Sequence, residues 1–510
     1  MNKNTKLLII ILLPAFLILF FTLSGQEDRK KTVRIEILNA DSAHDIASLN
    51  RTNMYGNVIF KHDSAILYCD SAYHYKVANS IDAFSSVHIK FNDSLDLHSN
   101  FLTYSGNSRI VKATGDVVLE DGEKTLYTDL LYYYRDLGYA DYKKWGRIVD
   151  DENTLISKNG IYYTQTKKVH FQDSVHVFNM ENDLYSDTLV YHTDTKVAEI
   201  FGPTHIYGKS GRYMYCEAGW YNTITDDSDL QQNIYAIDEN QITKCQRATY
   251  DSPSGIGKFY TDVELIDTSK NIVVSGQYGE YHRNDFFGFM VDSALAILID
   301  DRQDSMFLHS DTLFVLTDSS NSVTHLFSYY KVKIFKSNIQ GACDSLAFTV
   351  ADSILRMYFD PIMWEGESQL TSDSAYFYMK ENNIDSIRYY GNAFVLSRDT
   401  LETYNQVRGR LITAYFIDND IYKIVSDGNA ESLYYIREEN NDLVGIDKAV
   451  AARLYIMLEN NEFNSITYIE GANAITYPED EFPKEAQRLK GFKLQNERRP
   501  LQKNDIFKRE

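Results

Sequence analysis

Three consecutive stretches of the chain share one pattern: GNVIFKHDSAILYCDSAYHY from Gly56, VHIKFNDSLDLHSNFLTY from Val87 and GDVVLEDGEKTLYTDLLYYY from Gly115. Each opens with apolar residues at every second position: Val58 and Phe60, then Val87, Ile89 and Phe91, then Val117 and Leu119. Alternation of this kind marks a strand with one buried face. A polar turn follows (His62-Asp63, Asn92-Asp93, Glu120-Asp121-Gly122). A second strand then carries a small or acidic pair and ends in aromatics, as in Cys69-Asp70-Ser71-Ala72-Tyr73 and Thr128-Asp129-Leu130-Leu131-Tyr132. Such a unit cannot bury its apolar face alone, and a period of roughly thirty residues is that of a stacked repeat array.

Later openings fall near Val149, Ser174, Gly202, Asn233, Asp262, Asp292, Lys331, Pro361, Gly391, Gly428 and Gly471, with insertions expected around residues 136–148, 318–328 and 405–425. The fold class is therefore all-β. About thirteen stacked strand-turn-strand layers over residues 33–477, divisible into two or three sub-arrays, give an elongated body. At roughly 4.8 Å per layer its length is on the order of 60 Å. Abundant Tyr (39) and Phe (27) with only 7 Pro favour strands. The stretch from Asp447 to Glu459 has a competing helical pattern, at a place where a repeat strand is due. Gly56-Asn57, Gly115-Asp116, Gly391-Asn392 and Gly428-Asn429 supply the positive φ that a corner between layers requires.

At the N-terminus Lys3 and Lys6 precede an apolar run from Leu7 to Leu23, followed by Ser24 and Gly25. Residues 1–25 read as a signal peptide or, if uncleaved, a membrane anchor, so the body is exported. From Pro478 the alternation dissolves into a C-terminal tail over 478–510, with order expected to end by Pro500. The net charge of −21 and a pI near 5.0 exclude a nucleic-acid backbone or an anionic membrane surface as partner.

Cys69 and Cys343 occupy one repeat position, and Cys216 a closely similar one; elsewhere that slot holds Thr128 or Ser186. They read as small buried residues, and Cys216 with Cys245 is the one disulfide worth testing. No metal-ligand cluster and no cofactor motif is present in the sequence. The recurring pairs Asp70-Ser71, Asp187-Thr188, Asp311-Thr312, Asp344-Ser345 and Asp373-Ser374 read as corner chemistry, because a catalytic pair is needed once and these recur. Tyr73, Tyr75, Tyr132, Tyr133, Tyr191, Phe348, Tyr376 and Tyr378 read as a cross-strand ladder rather than a carbohydrate platform. Inward positions are assigned to Val58, Phe60, Val87, Ile89, Phe91, Val117, Leu119, Val175, Val177, Val332 and Ile334. They are bulky and uncharged, and suit either each other or acyl chains.

The repeat resembles the OstA-like proteins, relatives of the lipopolysaccharide-transport protein LptA and of the N-terminal domain of LptD. The resemblance is carried by Gly56-Asn57-Val58-Ile59-Phe60, Leu67-Tyr68-Cys69-Asp70-Ser71-Ala72, Tyr185-Ser186-Asp187-Thr188-Leu189-Val190-Tyr191, Gly202-Pro203-Thr204, and the closing Arg488-Leu489-Lys490-Gly491-Phe492 with Arg499-Pro500. The layout is similar to the long form typical of Bacteroidetes. The resemblance implies a twisted β-jellyroll whose groove shields the lipid A chains of lipopolysaccharide, with the eleven inward residues lining it. It also implies a periplasmic location, or an inner-membrane anchor if the signal is retained. The partners implied are Lpt-type envelope proteins, LptC-like at the inner and LptD-like at the outer membrane, joined through edge strands. No enzyme activity is implied. A closed-core scaffold of the envelope shares every repeat feature. A polysaccharide-degrading β-solenoid would need a unique polar cluster, which the sequence lacks.

Overall fold

A computed structural model of the chain describes residues 33–508, apart from 300–304, 321, 381–382, 401, 418–419, 439 and 460–461. The targeting segment read at residues 1–25 lies outside the described residues. The described chain forms 34 strands in one antiparallel sheet. Arg51–His62 pairs with Ala65–Tyr75, which pairs with Ser80–Lys90, and the meander continues strand by strand to Asn182–His192. Among the described residues the only helical turns are five short 3-10 segments.

The register slips in the middle of the strand pairs. Tyr55 faces Ser71 and Val58 faces Cys69, so Gly56 and Asn57 together oppose Asp70 alone. Both take positive φ, 74° and 44°. The same two-residue device recurs at Ser85-Ser86, Gly115-Asp116, Lys144-Trp145 and Asp173-Ser174, at intervals of 29 or 30 residues. It continues through Gln232-Asn233, Thr261-Asp262 and Asp292-Ser293 to Gly428-Asn429 and Glu470-Gly471. A bulge bends its strand, so each strand turns a corner and its two halves belong to two facing sheets. We call these sheet I (for example 51–55 and 71–75) and sheet II (58–62 and 65–69). At Gly202-Pro203 the ladder is cut outright into Val197–Ile200 and Thr204–Gly208, since proline has no N–H to donate.

Three sequence expectations change in this light. The glycine-containing pairs lie inside strands rather than opening them, and the corner expected near Val149 sits at Lys144-Trp145. Residues 139–149 form a regular strand, so no insertion occurs there. The wider intervals after Asp292 are absorbed largely by longer strands, such as Tyr404–Ile417 and Asp420–Arg437. Each repeat supplies two hydrogen-bonded strands, so the array is on the order of 130 Å long rather than about 60 Å. Asp447–Glu459 lies within the strand Leu443–Glu459. Its buried residues Ala449, Ala451, Leu454 and Ile456 jump three places at the corner, and that jump imitates a helical period.

The tail is ordered past Pro500, contrary to expectation. It doubles back over the outer face of sheet II, where Phe482 and Leu489 pack against Phe394, Leu396, Leu433, Tyr435 and Ile446. Gln406 donates to Gln487 O and accepts from Leu489 N, both at 2.8 Å. Gln369 does the same with Lys493 O and Gln495 N. Arg499 donates to Gln340 Oε1, and Lys333 Nζ donates to Lys508 O at 2.8 Å. The segment Lys503–Phe507 forms a 3-10 turn that sets Phe507 4.7 Å from the His309 ring.

Tyr142 is lodged between two glycines. A Cβ at Gly146 or Gly160 would strike its ring, and its hydroxyl meets Ser157 Oγ at 2.6 Å. Gly391, at φ 71°, has no room either, because a Cβ would strike the Asp373 carboxylate. Gly160→Val and Gly391→Val should each cost about 1–3 kcal/mol. Urea unfolding should show the loss, and hydrogen exchange should place it in the layers beside the substitution.

Candidate functional site

The space between the sheets is the one interior that the repeat builds, and it is lined by register partners in continuous rows. On sheet II the row runs Phe60, Leu67, Ile89, Leu97, Leu119, Leu126, Ile148, Leu155, Val177, Leu184 and Ile206, all buried. Opposite, on sheet I, tyrosines alternate with small residues: Tyr104, Val111, Tyr133, Ala140, Tyr162, Val169, Tyr191, Ala198, Tyr221. Large against small is how facing layers interdigitate at crystal-like density. The structure places all eleven residues from Val58 to Ile334 on the inner face, each 0–5 % exposed and within the main core.

The tyrosines also fasten the mouth between the sheets. His62 Nδ1 meets Tyr104 OH at 2.6 Å, Tyr162 donates to Asp121 at 2.7 Å, and Asn153 Nδ2 donates to Tyr191 OH at 2.9 Å. Loops at the two rims add ion pairs: Arg109 with Asp63 at 2.6 Å, Lys167 with Asp121 at 2.6 Å and Lys196 with Asp150 at 2.9 Å. The clasps recur at intervals of one or two periods, so the repeat itself generates them.

Beyond Ser228 the interior loosens. On sheet II the row becomes Ala236, Thr243, Leu265, Val274 and Ala296. On sheet I the spacers become Gly257 and Gly288, beside Tyr250 and Tyr281. Side-chain volume falls along both rows. Phe259, Leu265, Val274, Tyr281, Leu326, Phe348 and Leu355 are half-buried where their counterparts earlier in the array are buried. Sequence reasoning named only Phe348 among these. The available signal was glycine in the inner row of sheet I (Gly257, Gly288), which marks a missing side chain on a packed face. The interior closes again near Glu365 and Tyr389. There burial, with Asp420 across the mouth, pushes the Glu365 carboxyl up to about 7.

The other sequence candidates fall at the corners and on the outer faces. Asp70 accepts from Ser86 Oγ at 3.0 Å, Asp373 accepts from Asn392 Nδ2 at 3.1 Å, and Lys331 lies 3.5 Å from Asp311. Hydrogen bonds from Ser85 and Ser86 hold the Asp70 carboxyl below its ordinary value. The slot beside each such residue spans the corner: Ser157, Ser186, Ser310 and Cys343 each donate to the carbonyl two residues on. Outward Tyr73 packs on Phe84 at 4.9 Å and Tyr376 on Tyr390 at 5.1 Å, a cross-strand ladder, whereas Tyr133 and Tyr191 belong to the inner row. Among the described residues no group of three or more His, Cys, Asp or Glu is placed to hold a metal ion. A furrow of about 600 Å³ follows the corner row past Asn233, Gln246, Asp262 and Gln277 to Phe507, and its rim is polar.

Stacked bent strands enclosing an apolar interior define a β-jellyroll-like array. Residues 30–187 match the family model described as OstA-like protein, a family of transport and binding proteins rather than of enzymes. The matched part coincides with the clasped, close-packed layers. No curated protein matches the chain.

All four cysteines are free and buried, Cys216 and Cys245 included. Burial pushes the Cys69, Cys216 and Cys343 thiols up to about 12 and that of Cys245 to about 11. Ellman's reagent should therefore find no reactive thiol in the native protein and four after denaturation without reductant. For Glu365 the folded-state value lies above the ordinary 4.5. Its contribution is full below about pH 4.5 and is lost as pH rises through about 7. Glu365→Gln should be neutral at pH 4 and stabilising at pH 8 by up to about 3 kcal/mol, measured by urea unfolding at both pH values.

Proposed function

We propose that this chain is a non-enzymatic carrier of lipopolysaccharide in the periplasm, sheltering the acyl chains of lipid A between its two sheets. The observation that carries this reading is the apolar interior that runs the length of the array, with lining residues such as Phe259, Leu265, Val274 and Phe348 only half-buried over residues 228–355. Each CH₂ moved from water into such a trough gains about 0.8 kcal/mol. The strongly acidic exterior disfavours the phosphates of lipid A, so the chains enter and the head group stays in water. The eleven inward residues from Val58 to Ile334 continue the same rows, and a ligand reaches those in the clasped layers only when the tyrosine clasps part. The first strands (Glu36–Asn39, Ser42–Ile46) and the last (Glu462–Ile469, Asn473–Tyr477) leave backbone edges at the two ends. Strand addition there would join LptC-like and LptD-like neighbours.

The close packing of the first half favours one other reading, an envelope scaffold that binds no lipid. Two measurements separate the readings. A photo-crosslinking side chain at Phe259 should capture lipopolysaccharide in cells, whereas one at Lys90, which faces outward, should not. Native mass spectrometry of residues 30–510 purified from a Gram-negative host should show copurifying lipopolysaccharide. A clean apo mass, unchanged in excess lipopolysaccharide, would decide for the scaffold.

A further inference from the structure

The tail that covers the outer face of sheet II carries a charge opposite to that of the body. Residues 484–508 hold eight Lys and Arg against three Asp and Glu, a net charge of +5 in a chain of −21. The acidic turn Glu479–Glu481 ends just before them. How this strap is seated decides which of its charges face outward. Leu489, Gln495, Pro500 and Ile506 are buried against the sheet, five or six residues apart. Between these anchors Lys484, Arg488, Lys490, Lys493 and Lys503 are exposed. Asp505 is turned in, where it accepts from Leu501 N at 2.9 Å and Gln502 N at 3.1 Å, and Lys508 lies 2.7 Å from it. Glu485 and Glu497 are the exposed carboxylates that remain on the strap.

On the body, exposed cations are held by neighbouring carboxylates, as Lys158 is by Asp173 at 2.7 Å, Lys244 by Glu264 at 2.8 Å and Arg453 by Asp427 at 2.8 Å. Among the described residues no carboxylate lies within ion-pair distance of the five cations on the strap. Arg488 instead lies over the Phe492 ring, 4.9 Å from its centre. The strap also displays apolar side chains beside these charges: Leu501 is 76 % exposed, Phe507 41 % and Leu494 38 %. Between the strand of Ile446 and that of Lys333 it crosses eight strands, on the order of 35 Å. Cations spread over that length do not converge on one phosphate group. An acidic face of a second copy would neutralise them but give the leucines no apolar surroundings. The interface of an anionic bilayer meets both needs, with phosphates for the cations and the acyl boundary for the apolar side chains. The net charge that argues against such a surface is an average over the whole chain. Charges farther off than about 8–10 Å are screened, so a local basic ridge decides what it meets.

We infer that the strap over residues 484–508 seats the outer face of sheet II on an anionic phospholipid leaflet. This face is separate from the interior that carries the proposed cargo, and neither reading depends on the other. All four native cysteines are buried, so one introduced surface cysteine takes an environment-sensitive fluorophore selectively. The full chain is labelled through Leu501→Cys or, near the other end of the array, through Lys90→Cys. It is then mixed with vesicles of phosphatidylethanolamine and phosphatidylglycerol, or of phosphatidylcholine alone. A several-fold rise in emission with a blue shift is expected at residue 501 with the anionic vesicles, and neither with the neutral vesicles nor at residue 90. The rise should shrink with added salt and in the double variant Lys490→Glu, Lys493→Glu, with the circular dichroism unchanged. Residues 7–23 are present in every variant, so attachment through them does not distinguish residue 501 from residue 90. No response at residue 501, or an equal one at residue 90 or with neutral vesicles, would overturn the inference. So would a response to lipopolysaccharide but not to vesicles, or one that grows with protein concentration alone, which would assign the strap to cargo or to a second copy. Capture of lipopolysaccharide at Phe259 is read separately, so either failure leaves the other reading standing.

Discussion

Two consecutive residues with positive φ, set against one residue on the next strand, are what the architecture rests on. A strand of eleven residues without that bulge would run straight and join a flat, two-faced sheet. With it, the chain folds over itself once per strand and turns one sheet into two facing ones. The left-handed backbone explains why Gly, Asn, Asp and Ser recur there: glycine meets no Cβ penalty, and the short polar side chains bond locally. The corner also sets its own chemistry. At several corners the residue opposite is an Asp or Asn that bonds across to the next corner, as Asp70 and Asn100 do, and the slot beside it is often a Ser or Cys donating to the carbonyl two residues on.

Given a hinge of this kind, the width of the mouth is decided by what the two inner rows bring to it. Leucine, isoleucine and phenylalanine facing tyrosine fill the gap in the first half, and the tyrosine hydroxyls reach the opposite rim and fasten it. Alanine, threonine and glycine in the middle bring less side-chain volume to it. Further on, the tail adds a third layer over sheet II, so that strands near Phe394 and Leu396 are buried on both faces. One repeat thus yields a close-packed section, a section with a less deeply buried lining and a strapped section without a change of topology.

Much of this was readable from particular residues. The alternation at Val58-Phe60 and Val87-Ile89-Phe91 gave the inward parity, and the structure buries all eleven assigned positions. The Asp-Ser pairs were legible as corner chemistry because they recur. Strand boundaries were misread because the bulge advances the apolar phase by one residue, which looks like the start of a new strand at Gly56 and like a helix at Ala449 to Ile456. The tail was misread because its partners, Gln340, Gln369 and Gln406, lie 81 to 159 residues away in sequence. No local pattern announces such a contact.

The sequence alone determined the repeat, the all-β class, the inward face and the corner positions, since each follows from a period of two, a period near thirty and the residues that tolerate positive φ. Only the tertiary structure decided whether the two faces meet. That depends on the sum of side-chain volumes from strands that are neighbours across the corner, and on rim contacts such as His62 with Tyr104 and Lys167 with Asp121, whose members are more than forty residues apart. Packing is a property of pairs of surfaces, and one strand's sequence specifies only one of them.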